Sequence, residues 1–298
     1  MKRIEIQKTY KIYIGGQFPR TESGRFYPLQ NKTGNIIANM CLSSRKDLRN
    51  AVTAARSAFG GWSGKTAYNR SQILYRIAEM LEGRKAQFVD ELILQGSTKV
   101  QAEQEVIASI DRIIYYAGWC DKYQQIFSSV NPVASSHFNF SVPEPMGVVG
   151  IIADEKSSLI GLVSAIIPCI AGGNVCVVLA SNTKPLCAIS FAEVINSSDV
   201  PGGVVNILTG TKKELLEQFA SHMDVNAVCY YGNNKEEIKL LQATAPLNVK
   251  RILIYNSNNR LVTPKNFGAQ DPYFINDLQE VKTTWHPIEN VGGSGSGY

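Results

Sequence analysis

The chain has 298 residues, 44% of them hydrophobic and 18% charged, an ordinary globular composition with enough apolar mass for one large or two modest cores. Its 30 Lys and Arg against 25 Asp and Glu give a formal charge of +5, scattered through helical segments rather than gathered in a basic run with interleaved aromatics, so no nucleic-acid partner is expected. No stretch approaches the ~18 uninterrupted apolar residues of a membrane span, and no membrane partner is expected either.

Residues 10–40 alternate apolar and polar positions around Gly15-Gly16, Ser23-Gly24 and Gly34, the pattern of short strands joined by turns. Helical stripes follow. Leu48, Val52, Ala55 and Phe59 mark one over 47–59; Ile73, Leu74, Ile77, Met80 and Leu81 mark another over 69–82; a longer pattern runs from about 100 to 127. From Gly147 strands alternate with helices. Strands are predicted at 147–153, 174–180, 204–208, 225–231 and 249–255, with helices at 158–171, 187–196, 212–221 and 234–244 between them. Five apolar strands joined by four helices imply a parallel, doubly wound sheet covered on both faces, a nucleotide-binding type of α/β fold. After Tyr255 the run NSNNRLVTPKNFGAQDPYF reads as a linker, and LQEVKTTWHPI at 278–288 reads as a lone strand that must pair somewhere. The closing GGSGSGY reads as a flexible end, natural or appended, and receives no role.

The basic N-terminus, MKRIEIQKTYKIYIGG, lacks the apolar run of a secretory signal. Cys41, Cys120, Cys169, Cys176, Cys187 and Cys229 form no Cys-x-x-Cys pair, and most lie in apolar segments, as reduced core cysteines do. A cytoplasmic protein is the expectation.

Seven segments taken in order resemble the NAD(P)-dependent aldehyde dehydrogenase superfamily: YIGGQF at 13–18, AVTAARSAFGGW at 51–62, YYAGWCDKY at 115–123, EPMGVVGII at 144–152, IAGGNVCVVL at 170–179, VPGGVVNILTG at 200–210 and LQEVKTTW at 278–285. The resemblance implies a helical and short-strand N-terminal layer with a first oligomerisation-arm segment (1–146) and a Rossmann-like domain (147–259). It further implies a linker (260–277) standing where the family has its catalytic domain, and an oligomerisation strand with a flexible end (278–298).

The family's functional residues are matched poorly. Its first strand leads into Pro-Trp-Asn-Phe-Pro, whose Asn supplies an amide to the oxyanion; this chain reads ADEKSSL, with Lys156 at the Asn position. The ribose-contacting Lys-Pro-Ser-Glu is replaced by ASNTKP, with Ala180 at the lysine and Lys184 offset along the loop. The pyrophosphate motif Phe-Thr-Gly-Ser becomes Tyr230-Tyr231-Gly232-Asn233, which keeps the glycine. A helix N-terminus after Gly232 retains some capacity for an anion, opposed by Glu236 and Glu237. The general-base glutamate becomes Tyr255, a phenol too weakly basic to activate water at neutral pH. Fewer than about twenty residues join Asn259 to the tail strand, too few for a domain of ~50 or more. None of the cysteines stands in the nucleophile's Gly-Gln-x-Cys-like context.

These departures suggest a member that is inactive by itself, with no catalytic residues and no metal site. Gly210, Gly232 and Asn233 are its vestigial cofactor-binding positions, so no cofactor is expected beyond weak NAD(P). The expected role is assembly or regulation through SSHFNFSVPEP (135–145) and EVKTTWHPI (280–288), as a homo-oligomer or with a full-length aldehyde dehydrogenase. The alternatives are an NAD(P)-binding sensor and an oxidoreductase component using a partner's catalytic domain. Ser157 and Ser158 are the remaining nucleophile candidates, with no histidine near them in sequence. His137, His222 and His286 show no metal-ligand spacing and read as surface or capping residues.

Overall fold

The computed structural model describes residues 7–256 and 270–288. The N-terminal strands β1 (Thr9–Tyr10), β2 (Phe26–Gln30) and β3 (Ile36–Cys41) form a small sheet in the order β1-β3-β2. Four helices follow: α1 (Arg45–Ser63), α2 (Ala67–Gly83), α3 (Lys85–Leu94) and α4 (Lys99–Ala117). A capping box starts α1, because the Ser44 side chain accepts the Asp47 N–H while Asp47 accepts the Ser44 N–H at 2.7 Å. Thr98 and Gln101 start α4 in the same way.

Two differences from the sequence reading have local causes. Helix α3 is passed over because its short apolar face, Phe88, Val89 and Leu92, is interrupted by a buried acid, Glu91. The single helix predicted over 100–127 breaks after Ala117, where Trp119 N–H bonds the Tyr116 carbonyl (3.0 Å) in a tightened turn. The chain then resumes as α5 (Tyr123–Phe127), which leaves Cys120 and Tyr123 buried.

Strands β4 (Ser129–Asn131) and β5 (His137–Pro145) precede the alternating region. There β6 (Val148–Ile152), α6 (Ile160–Ala171), β7 (Val175–Leu179), α7 (Leu186–Asn196), β8 (Val205–Leu208), α8 (Lys212–Ser221), β9 (Ala227–Tyr231), α9 (Lys235–Thr244) and β10 (Arg251–Tyr255) follow one another. Every residue of β6, β7, β8 and β9 is buried, as expected of strands covered on both faces. All five strands are parallel, in the order β10-β9-β6-β7-β8. Helices α6 and α7 pack with α2, α3 and α4, while α1 packs with α8 and against β6, β7 and β8. This is the α/β fold with a Rossmann-like sheet that the sequence implies. Tyr13 ties the N-terminal piece to the β8 edge by two backbone bonds with Ile207, 2.9 and 2.8 Å.

The chain returns through α10 (Tyr273–Asn276), a short helix inside the stretch read as linker, and ends its described part in β11 (Gln279–Pro287). Phe274 and Ile275 bury themselves in the main core, which gives this stretch a fixed place. The predicted lone strand finds its partner on its own chain: β11 pairs antiparallel with β5 from Gln279↔Pro145 to Pro287↔His137, in a sheet ordered β11-β5-β4. Asn174 Nδ2 donates to the Leu278 carbonyl (2.9 Å), Gln279 Nε2 to Gly172 (3.2 Å), and Arg251 Nη1 to Asp277 (2.9 Å) and Gln279 (2.8 Å). Among the described residues no helix is long and apolar enough to cross a membrane. Most of the predicted linker and the GGSGSGY end lie outside the described residues.

Candidate functional site

With strand order β10-β9-β6-β7-β8, the connections leaving β6 and β9 run in opposite directions across the sheet. A crevice therefore opens at the carboxyl ends of these two strands, where ligands of open α/β sheets bind. The structure has a cleft of about 270 Å³ there, lined by Asp154, Glu155 and Lys156 after β6, Tyr230 and Tyr231 at the end of β9, Gly232 to Asn234 after it, Lys212 at the start of α8, and Glu237 in α9.

Its polar groups are largely engaged with one another. Lys212 Nζ lies 3.7 Å from Glu155 Oε1, 3.5 Å from Glu237 Oε2 and 5.2 Å from the centre of the Tyr230 ring. The Tyr230 hydroxyl donates to Glu237 Oε2 at 2.6 Å, so burial and the adjacent carboxylate hold the phenol protonated, well above its ordinary value. Glu155 Oε2 accepts the N–H of Asn182 (2.9 Å) and of Thr183 (3.2 Å) and the hydroxyl of Ser181 (3.0 Å). Asn234 caps α9, taking the N–H groups of Glu236 (3.0 Å) and Glu237 (3.3 Å) on its own side-chain oxygen. The N-terminus of α6 is filled likewise: Glu105, from α4, accepts from Leu159 (3.0 Å) and Ile160 (3.1 Å).

Of the three positions expected from the resemblance to be vestigial cofactor contacts, Gly232 and Asn233 line this cleft. The Gly232 N–H is committed to the Tyr255 carbonyl at 3.0 Å, and a Cβ there would meet the Tyr230 hydroxyl at 2.8 Å. Gly210 is not among the lining residues. It has φ +152°, and its Cβ would stand 3.2 Å from the backbone nitrogen of Ser43, so its absence of side chain serves the approach of the segment after β3.

Lys156 is exposed at the cleft mouth. Lys184 turns its ammonium onto the Lys156 carbonyl (2.8 Å). Ala180 is buried. Ser157 Oγ accepts the Gly161 N–H (2.8 Å) inside α6's first turn, and Ser158 Oγ donates to the Lys184 carbonyl (2.9 Å), so both hydroxyls are engaged in structure. Tyr255 lies beneath the return segment: its ring stacks on Tyr231 with centroids 4.9 Å apart, meets Phe274 at 5.3 Å, and its hydroxyl donates to Asp277 Oδ2 at 3.0 Å. Burial together with neighbouring acidic groups pushes this phenol far up, so it holds its proton.

All six cysteines are buried and unpaired with one another. Burial raises the Cys41 thiol and pushes Cys120 up to about 12; Cys169, Cys187 and Cys229 are likewise raised, chiefly by burial. His137 Nδ1 pairs with Ser135 Oγ at 3.0 Å, and His222 Nδ1 accepts the Asp224 N–H at 3.2 Å just past α8. Among the described residues no group of three or more His, Cys, Asp or Glu is placed to hold a metal. Sequence reasoning missed Glu155, Glu105 and Lys212; only Glu155 left a trace, as an acid where the resemblance calls for an aromatic.

Compared with known proteins, residues 19–261 match the model of the aldehyde dehydrogenase family. The chain is 31% identical over 258 residues to the cytosolic 10-formyltetrahydrofolate dehydrogenase of Mus musculus, covering 85% of this chain and 29% of that protein. It is 30% identical over 287 residues to the putative aldehyde dehydrogenase DhaS of Bacillus subtilis, covering 93% of this chain and 57% of that one. In structure it resembles a variant of the aldehyde dehydrogenase from Bacillus cereus, with TM-score 0.79 and 25% identity over 84% of this chain and 51% of the other. PnpE from Pseudomonas sp. WBC-3 gives 0.78 and 26%, over 84% and 50%. The chain thus spans between about a third and just over half of these relatives.

Proposed function

The chain belongs to the aldehyde dehydrogenase family, and from that premise we propose that it is inactive by itself and serves as an assembly or regulatory subunit of a full-length aldehyde dehydrogenase. The observation that carries the reading is the pairing of β11 with β5 along nine residue pairs. Residues 256–272 are too few to hold a further domain of ~50 residues between β10 and α10, yet β11, beyond them, pairs with β5 in a three-stranded sheet. In that sheet β11 is an edge strand, with Val281 and Trp285 exposed. An edge of nine residues that no strand among the described residues covers invites pairing with another strand. The inactivity rests on chemistry: every thiol is buried, most with raised pKa, and Tyr255 is a protonated phenol under α10.

Co-expression with a full-length family member, followed by native mass spectrometry, tests assembly. A defined hetero-oligomer is expected, and aldehyde-dependent reduction of NAD is expected from the complex and not from this chain alone. A monomer at micromolar concentration that ignores both its own copies and the full-length protein sinks the proposal. Six unpaired thiols suit a reducing compartment, which supports a cytoplasmic location.

The cleft at the carboxyl ends of β6 and β9 favours a second reading, an NAD(P)-binding sensor without turnover. Calorimetric titration with NAD and NADP that gives no heat into the millimolar range excludes it. A component borrowing a partner's catalytic domain would restore activity to a full-length protein whose own cofactor site has been disabled, which an assembly subunit would not.

A further inference from the structure

A second concavity, of about 430 Å³, is lined by Lys65 in the turn between α1 and α2, by Asn69, Gln72, Ile73 and Arg76 of α2, and by Asp199 in the connection from α7 to β8. That connection enters β8 at the amino ends of the parallel strands, so this groove lies on the far side of the sheet from the cleft. Asn69, Gln72, Ile73 and Arg76 recur at the three- and four-residue spacing that puts side chains on one helix face, and they form a wall about 10 Å long. Ile73, only 7% exposed, gives that wall an apolar floor. Asp199 comes from the other side, in left-handed backbone (φ 60°) just past the end of α7, a conformation that aspartate tolerates better than most residues. In the cleft the polar groups engage one another; here they do not. Among the described residues the Lys65 ammonium, the Asn69 and Gln72 carboxamides and the Asp199 carboxylate meet no hydrogen-bonding or ion-pairing group, and Arg76 commits one nitrogen, Nη1, to Glu79 at 2.8 Å. Glu79 foremost, and Asp199 to a lesser degree, hold the Arg76 guanidinium above its ordinary value, so the Asp199 charge stands within reach of Arg76.

We propose that this groove binds a small amino dicarboxylate, a molecule with two carboxylates and one ammonium. The lining carries the inverse set: two cations, Lys65 and Arg76, and one acid, Asp199. The ligand's carboxylates pair with Lys65 and with the guanidinium N–H groups that Arg76 does not give to Glu79, while its ammonium pairs with Asp199. The carboxamides of Asn69 and Gln72 offer donors and an acceptor to either end, and the ligand's methylenes lie on Ile73. A plain dicarboxylate brings no cation to Asp199, and an amino acid with an uncharged side chain leaves one of the two cations unpaired, so the groove discriminates by charge pattern. It shares no residue with the cleft or with β11, so failure here leaves assembly untouched, and a chain that never oligomerises leaves the groove standing.

The test titrates the full chain with L-glutamate, and with glutarate, L-glutamine and sodium chloride for comparison at matched ionic strength, following the side-chain amide resonances of Asn69 and Gln72. Glutamate at millimolar concentration is expected to shift both resonances along one saturating curve. Glutarate and glutamine should bind about three- to five-fold more weakly, the scale of one solvent-exposed ion pair. Lys65→Ala should weaken glutamate by a similar factor. Asp199→Asn, which suits left-handed backbone as well as aspartate does, should also weaken glutamate and should bring glutarate level with it. Neither side chain is buried, so both variants should fold, and either one alone reads the proposal. Shifts no larger than those given by chloride overturn it. So does glutarate or glutamine binding the unmodified chain as tightly as glutamate, and so does glutamate binding that either substitution leaves unchanged.

Discussion

At Tyr255, where the resemblance places the family's general base, the surroundings suit a phenol. A phenol with its hydroxyl on Asp277 and its ring between Tyr231 and Phe274 belongs to a packed aromatic cluster, so restoring the family's acid there should not restore chemistry. Tyr255→Glu would set a carboxyl beside Asp277 and strip the stack, at a cost on the order of 3–5 kcal/mol. Urea unfolding should show that loss, with aldehyde oxidation still absent; a stable, active variant would contradict the packing argument. Glu91 offers a cleaner titration. It is buried, accepts from Ser190 Oγ (2.5 Å) and from Gln87 Nε2 (3.4 Å), and burial raises its carboxyl above the ordinary range. A raised folded value means the native state keeps a proton that the unfolded chain has released, so stability from this group is complete below the ordinary carboxylate pKa and declines as pH rises through the folded value. Glu91→Gln should therefore melt above the unmodified chain at pH 8, by about 2–4 °C for each kcal/mol, with the advantage shrinking toward pH 4. At this scale the departures from the family's motifs were readable, because a missing acid or amide is visible in letters. It did not yield Glu155 or Glu105, since an acid that caps a distant N–H looks like any surface acid until the fold brings the two together.

Strands and helices were legible wherever one face pattern repeats without interruption. The five apolar runs of the parallel sheet and the stripes of α1 and α2 have that property and appear within about four residues of their predicted bounds, while the stripe of α4 begins where predicted and ends ten residues early. Elements decided by tertiary partners were not legible: α3 carries a buried acid on its apolar face, β4 is three residues long, and α10 exists because Phe274 and Ile275 find the core. The same dependence makes Asn174 a sensitive joint. It is fully buried at the start of β7, accepts the Gly147 N–H (2.9 Å) ahead of β6 and donates to the Leu278 carbonyl (2.9 Å) ahead of β11. Asn174→Ala leaves a buried donor and a buried acceptor without that partner, at about 1–3 kcal/mol each. The loss should appear in the urea midpoint, and limited proteolysis should release β11 earlier than in the unmodified chain. If β11 stays as protected as before, the β5 ladder, the core contacts of Phe274 and Ile275 and the Arg251 and Gln279 bonds hold the return segment without Asn174.

Taken as a whole, the molecule distributes its six thiols through layers of different depth, and this turns them into a readout of both chemistry and opening. Cys169, Cys176, Cys187 and Cys229 lie in or against the central sheet, Cys120 lies under the turn after α4, and Cys41 closes β3 in the small N-terminal sheet. A thiol reagent attacks the thiolate and needs access to it, and each of these cysteines is buried in the native state. Labelling at pH 8 should accordingly proceed only through opening, with no thiol modified in the first seconds and all six modified at once in denaturant. Partial opening follows local packing, so Cys41, in a thin three-stranded sheet whose β2 edge leaves Phe26 exposed, should react first. The four central cysteines should react last, at a rate that falls as global stability rises. Mass spectrometry of quenched samples gives the order directly. A single cysteine that reacts stoichiometrically within seconds on the folded chain would mean that an accessible nucleophile survives in it, and the case for an inactive subunit would fall with that one measurement.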